Sequence, residues 1–191
     1  MYLDVHIQII KTSGDKIQDV PLTKIGGKGL FVKEIEEALL ANTIDIAVHS
    51  MKDVPVKLPM GLEIQVITKR ENPLDALISK NGESLADLQP NAIIGTSSLR
   101  RSSQLLKYRS DFSIKALRGN LDTRLGKLDQ GEYDAILLAV AGLNRLGWGK
   151  RITEEISHEI LLPAMGQGAL GIETRTNDTM IRNLINCLDH K

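Results

Sequence analysis

Apolar residues recur along this chain in two rhythms. Val5, Ile7 and Ile9 alternate with His6, Gln8 and Ile10, which predicts a strand. From Phe31 the spacing turns helical: Phe31, Ile35, Ala38 and Leu39 line one face, with Lys33, Glu34, Glu36 and Glu37 toward water. Asn42 ends that helix. Ile44–Val48 then reads as a buried strand entering the loop His49–Pro55, where Pro55 favours an extended Val54. Another strand is expected over Leu62–Thr68, followed by a polar crossing at Lys69–Pro73.

The pattern then restarts. It predicts a strand Ala92–Gly95, a hydroxyl cap Thr96–Ser98 and a helix to Arg109. Next come a strand Ser113–Leu117, a helix Leu121–Gln130, a strand Asp134–Val140 and a helix Ala141–Leu146. A Gly/Pro-containing crossing, Leu162–Gly168, precedes a strand Ala169–Thr174 and a helix Thr179–Leu188. Strands separated by helices predict an α/β fold with two lobes of mixed, mainly parallel sheet and flanking helices. The expected division is 1–68 plus 169–191 for a discontinuous first lobe and 74–162 for the second. Residues 69–73 and 163–168 are the expected hinges.

Composition narrows the function classes. Lys and Arg number 24, as do Asp and Glu, so the chain is neutral overall and poorly suited to non-specific nucleic-acid binding. Its one cysteine, Cys187, excludes an intrachain disulfide and a multi-cysteine metal site. Set among Ile181, Leu184, Ile185 and Leu188, that thiol is expected to be buried. No apolar run approaches the roughly 20 residues of a membrane span, and residues 1–10 lack the basic flank of a signal peptide. A cytoplasmic protein without a metal site is expected.

Four segments carry candidate chemistry. Gly95-Thr-Ser-Ser-Leu-Arg-Arg101 places hydroxyls and two arginines at a helix start, where unpaired N–H groups already favour an anion. Arginine in the first turn opposes the helix dipole, so a plain cap would avoid it. Arg118-Gly-Asn120 with Arg124 repeats the arrangement at the next strand end. Parallel strands align their C-terminal ends, so these arginines are expected to converge on one anion-binding cleft. His49-Ser-Met-Lys-Asp53 offers a carboxylate for proton transfer or for stabilising a cation. The same Asp53 also suits a turn cap or a partner for Lys52. Gly26-Gly-Lys-Gly29 lacks the full phosphate-loop pattern, but its glycines allow close ligand approach, with Lys24 and Lys28 as cations.

Taken in order, these strings resemble the porphobilinogen deaminase (hydroxymethylbilane synthase) family. The matching runs are Gly26–Lys33, His49–Pro55, Gly95–Arg101, Leu117–Asn120 with Thr123-Arg124, Gly131–Ala135, Leu138–Leu143, and Leu162–Ala164 with Gly166–Ala169. The resemblance implies a transferase of tetrapyrrole and heme biosynthesis. It joins four porphobilinogen molecules head to tail, losing ammonia each time, on a dipyrromethane cofactor. It also implies a fold like that of type II periplasmic binding proteins. Asp53 would be the catalytic carboxylate, with Lys52 beside it. Lys24, Lys28, Ser98, Arg100, Arg101, Arg118 and Arg124 would hold cofactor or substrate carboxylates. Arg145 and Arg151 would serve chain elongation. Phe31 would lie near the growing chain or equally anchor the core.

Against the family pattern the chain is expected to be shortened at the front and to stop before a third domain bearing the cofactor-attaching cysteine. Cys187 does not match that cysteine. The cofactor is therefore expected to be absent, and these residues alone to be inactive. The implied partner is porphobilinogen, with no nucleic acid or membrane, acting on a monomer. The competing reading is a non-catalytic two-lobed binder of polycarboxylates.

Overall fold

In the computed structural model, residues 4–13 and 32–190 are described. The chain separates into two compact units, residues 1–69 with 170–191 and residues 70–169.

The first unit is built on a three-stranded antiparallel sheet of β1 (Ala47–Ser50), β2 (Leu62–Ile67) and β8 (Leu170–Arg175), with β8 central. Helix α1 (Lys33–Leu40) packs on one face through Leu39, which meets Ala47 and Leu62. Asn42 follows that helix at φ 55°, a left-handed conformation that asparagine tolerates. Helix α5 (Thr179–Ile185) belongs to the opposite face, where Ile185 joins Val66 and Ile172. Asp178 caps α5 by accepting from the Ile181 N–H at 3.1 Å.

The second unit holds a five-stranded sheet in the order β5-β4-β6-β3-β7. Its strands are β3 (Asp75–Ser79), β4 (Ile93–Gly95), β5 (Ser113–Lys115), β6 (Ala135–Ala139) and β7 (Glu154–Ile156). Alternate residues feed two cores. Leu77, Ile94 and Leu137 point to one face and meet Leu105 of α2 (Leu99–Tyr108). Ile78, Ile136 and Leu138 point to the other. They meet Leu125 and Leu128 of α3 (Leu121–Asp129) and Leu143 of α4 (Val140–Arg145). Each fully buried leucine contributes about 1.5–3 kcal/mol, so this sheet is anchored from both sides.

Several expectations change. Residues 4–12 form no strand, and Val5, Ile7 and Ile9 stand exposed. Alternation supplies β propensity, but a strand needs a neighbour to complete its hydrogen-bond ladder. The first described strand starts at Ala47 and is buried on one face only. Ile46 and Val48 are exposed, while the polar His49 is buried. Glu36 is buried rather than turned to water. Cys187 is exposed on a short 3-10 turn, Asn186–Leu188. That tighter turn shifts the side-chain rotation assumed from helical spacing. Strands β3 and β7 have no counterpart in the sequence reading. The second unit's sheet is mixed as expected, but the sheets are not mainly parallel: among the described residues the first unit's strands pair antiparallel throughout, and only β4 pairs in parallel, with β5 and β6. β3 pairs antiparallel with both β6 and β7, so the second unit is not a simple succession of parallel crossovers.

Candidate functional site

The parallel strands β4, β5 and β6 end at one edge of the second unit's sheet. Antiparallel β3 begins there, since Asp75 lies opposite Ala139. Helices α2, α3 and α4 all start just beyond that edge. Their first N–H groups and partial positive charge therefore collect where the strands stop.

Ser98 is the N-cap of α2, its Oγ accepting from the Arg101 N–H at 3.4 Å. Ser97 ties the neighbouring loop: its Oγ donates to the Leu117 carbonyl at 2.9 Å and accepts from the Leu117 N–H at 3.1 Å. Arg118 is half-buried directly after that link. Arg124, on the first turn of α3, donates through Nε to the Gly119 carbonyl at 2.7 Å. Ser98, Arg100, Arg101, Arg118 and Arg124 are thus brought to one edge.

At its centre lies a residue to which the sequence reading gave no role. Asp75 has no exposed surface. Its Oδ1 accepts from Arg101 Nε at 2.9 Å and Nη2 at 2.6 Å, and its Oδ2 sits 2.7 Å from Arg100 Nη1. Gln167 Nε2 donates to the same Oδ1 at 3.0 Å and to the Pro73 carbonyl at 2.7 Å. The third edge of the Arg101 guanidinium reaches the Leu137 carbonyl at 2.9 Å. Burial alone would raise the Asp75 carboxyl. The hydrogen bonds and charge of Arg100 and Arg101, with Gln167, outweigh it and hold the group below the usual carboxylate range.

This geometry separates two arginines that the sequence treated alike. Arg101 is buried and committed to Asp75 and the β6 backbone. Arg100 is half-buried and also reaches the Leu162 carbonyl at 2.5 Å. A lone aspartate heading an apolar run after Pro73 was the available signal for Asp75.

Arg145 belongs with this edge through a 2.6 Å bond to the Gly168 carbonyl. Gly168 has φ +94°, and a Cβ there would fall 2.4 Å from the Glu71 carbonyl oxygen. Only glycine lets these backbone segments lie together, and the Glu71 N–H donates to Gly168 O at 3.0 Å. Arg151 does not join the group. It pairs with Asp129 at 2.6 Å. Both residues line a cavity of about 420 Å³ with Ser79, Lys80 and Lys150. Ser79 lies opposite Ala135, so this cavity marks the other edge of the sheet.

In the first unit, β1 runs into a turn carrying Lys52 and Asp53, both exposed. The Asp53 N–H closes it on the Ser50 carbonyl at 2.9 Å. Lys24, Lys28, the glycines between them and Phe31 lie outside the described residues. Among the described residues there is no cluster of three or more His, Cys, Asp or Glu placed to hold a metal. No helix there is long and apolar enough to cross a membrane.

A lipoprotein from Bacillus subtilis shares the fold at TM-score 0.52 and 16% identity, over 82% of this chain and 74% of that one. That likeness agrees with the expected fold, like that of type II periplasmic binding proteins. A porphobilinogen deaminase of Syntrophobacter fumaroxidans is 57% identical over 96% of this chain and 59% of its own length. One from Chlorobium phaeovibrioides is 54% identical over 98% of this chain and 60% of its own. The chain therefore spans about three fifths of the length of these relatives. The family model described as "Porphobilinogen deaminase, dipyromethane cofactor binding domain" matches residues 2–183, and the chain belongs to that family.

Proposed function

We propose that the protein acts as a hydroxymethylbilane synthase, condensing four porphobilinogen molecules into a linear bilane. The observation that carries this reading is 54–57% identity, across nearly the whole chain, to proteins named porphobilinogen deaminase. The chemistry of the strand edge supports it. Each pyrrole of the substrate bears an acetate and a propionate, and guanidinium groups at helix starts suit carboxylates.

In each coupling, the aminomethyl C–N bond of one pyrrole breaks and a C–C bond forms to the α-carbon of the next. The displaced α-proton leaves with ammonia as ammonium. Asp53 is assigned to stabilise the cationic pyrrole and to move that proton, with Lys52 beside it. Arg100, Arg118, Arg124 and the first N–H groups of α2 and α3 are assigned to the carboxylates. Arg145 is assigned to holding the growing chain near the same edge. Arg101 is a positioning residue, fixing Asp75 and through it Arg100. Lys24, Lys28 and Phe31 keep the roles that the family resemblance gives them. Arg151, bound to Asp129 at the opposite sheet edge, receives none.

The donor set of this edge fits the dipyrromethane group named for the family, whose side chains are likewise carboxylates. When bound, that group supplies the pyrrole α-position from which the chain is extended. Cys187, exposed at the end of α5, is not proposed as its attachment point. The working form is proposed to be a cytoplasmic monomer.

Asp53→Asn separates this enzyme from a two-lobed polycarboxylate binder. The expected result is a fall in bilane formation of about 100-fold or more, with porphobilinogen binding retained. In a cofactor-loaded protein of the relatives' full length, binding of pyrrole carboxylates without release of ammonia would establish the binder instead.

A further inference from the structure

The first unit buries three ionisable side chains on elements that pack together. Glu36 comes from α1, His49 from β1 and Glu173 from β8, and each is buried. His49 Nε2 lies 2.8 Å from Glu173 Oε2. The other oxygen of Glu173 and Oε1 of Glu36 are buried with no hydrogen-bond partner. Two carboxylates with a buried oxygen each that no protein group meets are costly when both are ionised.

The surrounding charges do not relieve this. Glu173 and Arg175 share a face of β8, but the Arg175 guanidinium is committed to Asp45 at 2.9 Å and Asp178 at 2.8 Å. From β2, Glu63 lies opposite Thr174, so it faces the other side, where Arg182 meets it at 3.2 Å. On α1, Lys33 pairs outward with Glu37 at 3.8 Å, and Glu34 binds the Ser13 N–H at 2.9 Å. His49 meets Glu173 at 2.8 Å, and its charge also acts on Glu36.

We propose that Glu36 carries a proton beside the buried His49–Glu173 pair, and that this site positions the turn carrying Lys52 and Asp53. The mechanical link is short. His49 lies opposite Gly171, and Met51 packs over that glycine so closely that a Cβ there would fall 2.3 Å from Sδ. Ser50, between His49 and Met51, accepts the Asp53 N–H through its carbonyl. Loss of the proton sets two buried negative charges against each other, strains the β1–β8 pairing at His49 and displaces the turn. Burial, then the Glu173 charge, raises Glu36 from its ordinary value, while His49 partly opposes them. The proton site stands independently of the catalytic reading; only its consequence for catalysis rests on Asp53 being the catalytic carboxylate.

The test is residue-specific carboxyl ¹³C NMR of the 191-residue chain across pH, with backbone amide shifts of Ser50–Asp53 followed in parallel. The Glu36 carboxyl is expected to titrate above the exposed glutamates of the same sample, and the turn amides to follow its midpoint. Glu173→Gln should lower that midpoint by removing the like charge. Glu36→Gln should abolish the matching transition in the turn while leaving the amide spectrum folded. A Glu36 that titrates with the exposed glutamates overturns the proposal. So does a midpoint unmoved by Glu173→Gln, or a turn silent to Glu36. None of these outcomes bears on whether the protein makes bilane.

Discussion

Each unit of this protein buries a cluster of charge, and the two are balanced in opposite ways. In the second unit, one carboxylate, Asp75, meets two arginines and an amide. In the first, two carboxylates, Glu36 and Glu173, have one histidine between them as a cationic influence, bonded to Glu173. Burial acts on both clusters in the same sense, raising the carboxyl group. The partners decide the outcome: Asp75 ends below its ordinary value and Glu36 above it. Partner count, rather than depth, separates a carboxyl group that folding lowers from one that folding raises.

The largest effect is expected from breaking the cationic cluster. Asp75→Ala leaves Arg101 buried among apolar strands with its charge uncompensated, at a cost of about 3–5 kcal/mol. Denaturant unfolding followed at Trp148, which packs on the second unit's core, measures it. The pH dependence has a definite sign. Because folding lowers the Asp75 carboxyl, its contribution is full above the unfolded value, near 3.8, and is lost as pH falls through the lower folded value. Asp75→Asn should flatten that acid limb. An acid limb identical to wild type would mean that the arginines do not hold Asp75 ionised.

A smaller and opposite effect is expected in the first unit. Folding raises Glu36, so its contribution is present below the unfolded value, near 4.5, and is lost as pH rises through the folded value. Glu36→Gln keeps the shape and removes the charge. It should stabilise the protein by roughly 1 kcal/mol on the alkaline side and change little in acid. Unfolding midpoints at the two pH extremes check this. A variant less stable at both would place Glu36 among ordinary structural hydrogen bonds.

The contrast also explains what the sequence discloses. Elements bounded by local chemistry were legible: α2 opens at the hydroxyl run ending in Ser98, and α3 follows Gly119-Asn120. The arginine edge was legible for the same reason, because helix starts and strand ends are short-range features. Strand β3 was not. Asp75–Ser79 is buried at every residue, so it lacks the alternation that betrays a half-exposed strand. β1 misled in the other direction, with His49 inside and Val48 outside. Both buried clusters join residues far apart in sequence, Arg101 to Asp75 and Glu173 to His49. No local pattern announces such pairs; they exist only once the sheets are paired.

The smallest predicted effect tests whether the basic edge is held by its helix start or by its ion cluster. Ser98 Oγ meets the Arg101 N–H at 3.4 Å, a long bond for a cap. Ser98→Ala should therefore cost about 0.5 kcal/mol, the low end for losing a hydroxyl cap. The acid limb should stay in place, because Arg101 would keep both its bonds to Asp75. Denaturation at neutral pH and at acid pH reads the two quantities separately. If the acid limb moved with Ser98, the cap would be setting the arginine geometry. The neutral helix start and the charged cluster would then be one device, and the contrast with the under-partnered carboxylates of the first unit would lose its second term.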